Sequence, residues 1–239
     1  MENQYNNYAP LVECRALTKR YASTLALDDV SFTLERGKII GLLGPNASGK
    51  TTLIKLINGL ITPTSGQVLI NGKRPGIESK LNISFLPDAN FLPEWMNVKQ
   101  LLHYYGDFYS NFNMDKAYDL LNHLNLKDSM KLKTMSKGTK EKVQLILTMS
   151  RKADLYCLDE PIGGVDPASR DYILDTIISN YSEEGSIIIS THLIADIEKV
   201  LDDVLFIRDG HLYLHKSVDA IRMDHNTSVD GYFREVFKC

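Results

Sequence analysis

The residues Gly44-Pro45-Asn46-Ala47-Ser48-Gly49-Lys50-Thr51 match the pattern G-x-x-x-x-G-K-[ST] at each fixed position. Glycines at this spacing let successive backbone N–H groups curl around a phosphate, and a helix that begins there points its positive end at the anion. Lys50 adds a full charge near the outer phosphates and Thr51 a hydroxyl for Mg2+, so residues 44–51 together with Thr52 are the candidate nucleotide contacts. A second segment, Leu155-Tyr156-Cys157-Leu158-Asp159-Glu160, is a short apolar run that ends in two carboxylates. Alternation along a strand aims them in opposite directions. Asp159 is then expected to face the metal, and Glu160 to polarise a water for in-line attack on a γ-phosphate.

The elements that must carry these residues are readable from the apolar spacing. Ile39–Leu43 is a continuous apolar run stopped by Gly44, and Leu53, Ile54, Leu56, Ile57 and Leu60 recur with helical spacing after the glycine loop. That order is buried strand, loop, helix. Upstream, Leu11, Val12 and Leu17, and then Val30, Phe32 and Leu34, suggest a small antiparallel sheet. Val68–Ile70 before Asn71-Gly72 reads as a strand entering a tight turn, and Leu81–Leu86 as a further strand. From Val98 to Met149 three helices are expected, around Leu101–Tyr109, Ala117–Leu124 and Lys137–Met149. Strands resume at Leu155–Leu158 and Ile187–Ile189, with a helix after Pro167 between them. Alternating strand and helix implies a layered α/β core with a mostly parallel sheet. Val204–Ile207, Asp209-Gly210 and Leu212–Leu214 form a predicted hairpin.

Composition narrows the function classes. The 239 residues carry 27 Lys plus Arg against 30 Asp plus Glu, a net charge of -3, which argues against a nucleic-acid backbone as the main partner. An apolar fraction of 44% with 24% charged residues is that of a globular chain, and no run approaches the roughly 20 apolar residues of a membrane-spanning helix. The stretch Met1–Pro10 reads as a short polar tail without a secretory leader, which suggests a cytoplasmic protein. Cys14, Cys157 and Cys239 show no paired spacing and are expected to be free thiols in a reducing compartment.

Five segments occur in a telling order: Gly44–Thr51, Met135-Ser136-Lys137-Gly138-Thr139, Leu158-Asp159-Glu160-Pro161, Gly164-Val165-Asp166-Pro167 and Ser190-Thr191-His192. This order resembles the ATP-binding-cassette (ABC) ATPases from about Leu11 to about Leu214. The resemblance implies one cassette over 11–214, a P-loop α/β core with an N-terminal antiparallel β subdomain and a helical subdomain inserted at about 97–150. Residues 1–10 would be a tail and 215–239 a C-terminal helical extension. It also implies ATP and Mg2+ as ligands and places residues by analogy. Tyr21 would stack on adenine, although a lone tyrosine there could equally be a strand-edge packing residue. His192 would contact the γ-phosphate and hold the attacking water. Ser136 and Gly138 would reach the nucleotide of a second cassette, and Asp166 would lie in the loop (the D-loop) that couples the two sites.

Two positions depart from the family pattern. Asp88 stands where a glutamine is common after the strand ending at Pro87, and its carboxylate could still reach Mg2+ or the water. The segment Met-Ser-Lys-Gly-Thr replaces Leu-Ser-Gly-Gly-Gln, so Lys137 puts a cation at a helix start; this suits a partner's triphosphate or, alternatively, a solvent-facing lysine. Phe91-Leu92-Pro93-Glu94-Trp95-Met96 could be an exposed docking surface for a membrane subunit, or core packing. The resemblance thus implies an ATPase at the cytoplasmic face of the membrane that pairs with a second cassette chain, identical or related. It would drive a separately encoded permease, and the Ser-Lys-Gly segment and Asp88 resemble bacterial exporters of drugs, peptide antibiotics or lipids. A non-transport cassette ATPase, such as one for iron-sulfur assembly, and a nucleotide-dependent binding switch stay open at this level.

Overall fold

The apolar runs become the centre of two sheets in a computed structural model that describes residues 9–182 and 184–237. The polar tail read over residues 1–10 lies mostly outside the described residues, as does Cys239. The smaller sheet holds β1 (Val12–Tyr21), β2 (Thr24–Leu34) and β4 (Ser65–Ile70) in the antiparallel order β2-β1-β4. The larger holds β3 (Ile39–Leu43), β5 (Ile83–Leu86), β6 (Leu155–Asp159), β7 (Ser186–Thr191), β8 (Asp203–Arg208) and β9 (His211–Ser217). Its order is β5-β6-β7-β3-β8-β9, parallel except for the final β8–β9 hairpin. The helices are α1 (Lys50–Ile57), α2 (Ile77–Asn82), α3 (Val98–Phe108), α4 (Met114–His123), α5 (Lys137–Met149), α6 (Pro167–Asn180), α7 (Ile194–Ile197), α8 (Val218–His225) and α9 (Val229–Phe237).

Strands β3, β6 and β7 are buried along their whole length, as expected of parallel strands covered on both faces. Alternation then divides their side chains between two cores. Ile40, Leu42, Leu155, Cys157 and Ile188 pack with α1 and the small sheet. Ile39, Leu43, Tyr156, Leu158, Ile187 and Ile189 pack with helices α3 to α6. Side-chain caps start the helices of the second layer: Asn97 accepts from Gln100 N–H, Asn113 from Lys116 N–H and Ser136 from Thr139 N–H. The C-terminal helix α9 closes over β8, with the rings of Tyr232, Phe233 and Phe237 within 5.4–6.0 Å of Phe206. Cys14 and Cys157 are free and buried, and burial pushes the Cys157 thiol up to about 12, so both behave as small apolar side chains.

Two expectations need correction. The strand expected over Leu81–Leu86 begins only at Ile83, because Leu81 and Asn82 finish α2. The neighbouring strand β6 starts at Leu155 opposite Ile83, and a single further bond, from Asp154 N–H to the Asn82 carbonyl (2.9 Å), joins the end of α2 to it. The buried Arg151 instead takes the carbonyls of Lys80, Leu81 and Ile83, binds Asn111 Oδ1 and lies 3.9 Å from the Tyr109 ring centroid. We expect Arg151→Ala to cost about 3 kcal/mol, since it removes the buried donor to the Ile83 carbonyl, the bonds to the end of α2 and the packing on the Tyr109 ring. A thermal melt lowered by about 6–12 °C checks this. The second correction concerns Phe91–Met96, which is not uniformly exposed. A turn closed by Met96 N–H on the Pro93 carbonyl (3.1 Å) turns Leu92 and Met96 into the core, while Phe91 and Trp95 stay outside, Trp95 at 77% exposure.

Candidate nucleotide site

The glycine loop follows β3, whose buried apolar run fixes where the loop must leave the sheet. Gly44 is pressed against the neighbouring strand: a Cβ there would lie 2.3 Å from the Ile207 carbonyl and 2.6 Å from Ser48 Oγ. Any side chain would push the loop away from β8. Gly49 caps α1 in the left-handed region (φ 112°) with no side-chain cap bond, which leaves first-turn N–H groups of α1 directed at an incoming anion. Lys50 is 6% exposed, and its ammonium donates to the carbonyls of Gly44 (2.8 Å) and Pro45 (3.0 Å) of its own loop. Burial lowers its proton affinity, partly offset by Glu160 and Asp159. The Ser48 hydroxyl is buried without a hydrogen-bond partner among the described residues.

Strand order brings the second motif to the same place. With β3 and β6 on either side of β7, the C-terminal ends of all three strands meet. Thr51 Oγ1 donates to Asp159 Oδ1 (3.2 Å), and the Ser190 hydroxyl at the end of β7 donates to the same oxygen. Burial raises the Asp159 pKa, the two hydroxyls lower it, and the nearby charges of Asp88 and Glu160 raise it again. Glu160 does not continue the strand. It sits in the left-handed region (φ 50°), its N–H is held by the Ser190 carbonyl (3.0 Å), and its carboxylate accepts from Thr191 Oγ1 (3.1 Å). His192 Nδ1 lies 3.1 Å from Glu160 Oε2. The opposite orientation expected from alternation is therefore broken at Glu160, and both carboxylates line one cavity with Asp88, Lys137 and Glu141. The left-handed turn is the cause.

The other candidates are distributed around this cavity. Asp88 is exposed on its rim, in a loop tied to α5 by Gln144 Nε2 donating to the Ala89 carbonyl (3.2 Å). Ser136, Gly138 and Asp166 line a neighbouring surface depression with Glu141, Lys142 and Gly164. Lys137 is 82% exposed and 3.7 Å from Glu141. Pro45, Asn46, Ala47 and Thr52 belong to the loop and the first turn of α1, Ala47 with a positive φ of 62°. Tyr21 ends β1, half-exposed, with Lys19 Nζ 5.0 Å from its ring, and it is not part of the cavity lining. Ser190 and Thr191, which carry no motif chemistry of their own, join the site through the fold. Their signal was available only as polar residues closing a buried apolar strand beside His192.

A glycine loop between a buried strand and a helix, facing a carboxylate pair at the end of β6 in the same parallel sheet, defines a P-loop nucleotide hydrolase. Comparison with known proteins narrows the class. The family model described as "ABC transporter" matches residues 27–163. The ABC transporter ATP-binding protein YtrB of Bacillus subtilis (strain 168) is 32% identical over 220 residues, covering 90% of this chain and 75% of that protein. The SkfA peptide export ATP-binding protein SkfE of the same organism is 31% identical over 208 residues, covering 84% and 87%. A solved structure of the ATP-binding subunit of an ABC transporter superposes with a TM-score of 0.86 at 28% identity, covering 95% of this chain and 99% of that one. The chain belongs to the ABC transporter family, as an ATP-binding subunit whose ATP hydrolysis is coupled to transport. No helix among the described residues is long and apolar enough to cross a membrane.

Proposed function

We propose that this subunit hydrolyses Mg-ATP within a closed pair of cassettes and drives export through a permease carried on a separate chain, at the cytoplasmic face of the membrane. The observation that carries the hydrolytic part is the convergence of Thr51, Asp159, Glu160 and His192, from three chain segments, on the end of the sheet beside Lys50. Lys50 and the loop N–H groups bind the phosphates; Lys50 exchanges its bonds to two loop carbonyls for phosphate oxygens. The oxygens of Thr51 and Asp159, with Asp88 at the rim, are hard donors of the kind Mg2+ takes alongside nucleotide phosphates. The ion would neutralise charge on the β- and γ-phosphates.

Glu160 is the group placed to take a proton from the attacking water as the bond from the γ-phosphorus to its bridging oxygen breaks and ADP departs. Thr191 and His192 hold that carboxylate in place, and His192 also provides a contact for the γ-phosphate. Ser136, Gly138 and Asp166 lie on a separate depression of the same surface. This suits a role toward the nucleotide of a second cassette, a copy of this chain or a related one. Closure of two such surfaces excludes water and completes each site.

Export is supported by the relatives, among them a peptide export ATP-binding protein and the linearmycin resistance ATP-binding protein LnrL. The test is isolation of the subunit with its permease and reconstitution in vesicles of defined orientation. ATP-driven movement of cargo away from the cassette side is expected, and movement toward it overturns the export reading. Phe91 and Trp95 are the exposed apolar side chains expected to meet the permease. We expect Trp95→Ala to leave ATP hydrolysis by the isolated subunit within about twofold while permease binding weakens at least about tenfold, as for a central aromatic anchor. Affinity capture with the permease measures it.

A further inference from the structure

Gly164 is crowded for a reason that its backbone does not supply. Its φ is outside the left-handed region, yet a Cβ there would lie 2.9 Å from Glu141 Oε1 and 3.2 Å from Lys137 Nζ. The carboxylate of Glu141, ion-paired with Lys137 one helical turn earlier, therefore rests directly on the loop that follows the catalytic strand. Its second oxygen, Oε2, is buried with no hydrogen-bond partner among the described residues, so Glu141 is held here against the cost of desolvating it. The preceding residue of the loop, Gly163, lies against the proposed base: its N–H donates to the Glu160 carbonyl (3.1 Å), and a Cβ on it would be 3.3 Å from Glu160 Oε2. Glu141, Gly164, Gly163 and Glu160 thus form one run of contacts from the start of α5 to the base.

We infer that Glu141 is a positioning residue for ATP hydrolysis, setting the 163–164 backbone on which the Glu160 carboxylate leans. The inference rests on the assignment of Glu160 as base. Glu141 pairs with Lys137, whereas Lys50 bonds to the Gly44 and Pro45 carbonyls, so loss of Glu141 acts on turnover and not on nucleotide affinity. The nearest atoms to a methyl group at Gly164 are the ends of two side chains, Glu141 and Lys137, and not backbone. The methyl group displaces Glu141 instead of breaking the fold, and it reproduces the loss of that carboxylate.

Steady-state hydrolysis by the full chain tests this, with ATP affinity and thermal melting measured in parallel. Glu141→Ala is expected to lower kcat about tenfold with KM for ATP within about twofold. Glu141→Gln, which keeps length and an oxygen, is expected to stay within about twofold of the native kcat. Gly164→Ala alone is expected to cost about tenfold, but less than about threefold when added to Glu141→Ala, because both act through one contact. If Glu141→Ala does not fold, Glu141→Asp, whose carboxylate no longer reaches Gly164, takes its place with the same expectation. Full additivity of the two changes, native kcat in Glu141→Ala, or equal loss in the alanine and glutamine variants overturns the inference. Full activity in Glu160→Gln instead overturns the assignment of the base, and the two failures are separable.

Discussion

Glu160→Gln is expected to lower steady-state ATP hydrolysis by about 10²- to 10⁴-fold, the range set by loss of a positioned general base. The substitution removes the proton acceptor and its negative charge, which acts on Lys50 and Asp159, while keeping the shape of the side chain. Glutamine has the same shape, its carbonyl oxygen can still accept from Thr191 Oγ1, and the Glu160 N–H remains held by the Ser190 carbonyl. None of the contacts of Lys50 or of the glycine loop involves the Glu160 side chain directly. ATP affinity, read by equilibrium titration with a fluorescent nucleotide, should therefore stay within about threefold, the scale on which a change outside the phosphate contacts acts. Because ATP then binds without being consumed, a closed pair should accumulate at saturating Mg-ATP and elute earlier in size-exclusion chromatography. Unchanged turnover would remove Glu160 from the mechanism, whatever happened to the dimer.

The second large effect is expected at Lys50. Lys50→Ala should weaken ATP binding at least about a hundredfold, roughly 3 kcal/mol, the scale of one or two charge-assisted hydrogen bonds in a partly dehydrated site. The ammonium is almost wholly buried and already sits on the loop, bonded to Gly44 and Pro45, so it exchanges partners over a short distance instead of being drawn in from solvent. Its removal also leaves those carbonyls short of a donor, and a modest fall in melting temperature of the nucleotide-free subunit accompanies the loss of affinity. Isothermal titration at fixed Mg2+ measures the affinity, and retention of native affinity would show that the loop N–H groups suffice. The contrast with Glu160→Gln is the informative part. One variant is expected to bind without turning over, and the other not to bind.

Much of the architecture is legible in the chain because burial imposes periodicity. Ile39–Leu43 and Ile187–Ile189 are apolar without alternation, and both form strands covered on two faces. The helices at 101–109, 117–124 and 137–149 show their apolar spacing, and the structure extends or trims them by only a few residues. Where local signals compete, individual contacts decide. Leu81 and Asn82 look like the start of a strand, but the guanidinium of Arg151, some 70 residues away, takes the backbone acceptors at the end of α2. Phe91–Met96 reads as one apolar cluster, and only a local turn decides that Leu92 and Met96 go inward while Phe91 and Trp95 face out.

The candidate site divides along the same line. The amino-acid sequence by itself determined the phosphate loop, since Gly44 to Thr51 act through backbone N–H groups and side chains only a few residues apart, and such a motif is complete in one stretch of chain. It also identified Asp159 and Glu160 as the acidic end of a buried strand. Tertiary structure alone decided how these meet. The order β6-β7-β3 places Ser190, Thr191 and His192 between the two motifs. The left-handed turn at Glu160 swings its carboxylate into the cavity that alternation would have turned it from, and Glu141 comes to rest on Gly164. The physical reason is range: hydrogen bonds act over about 3 Å, and which distant residues come that close is set by the crossovers between parallel strands, which no local pattern in the chain records.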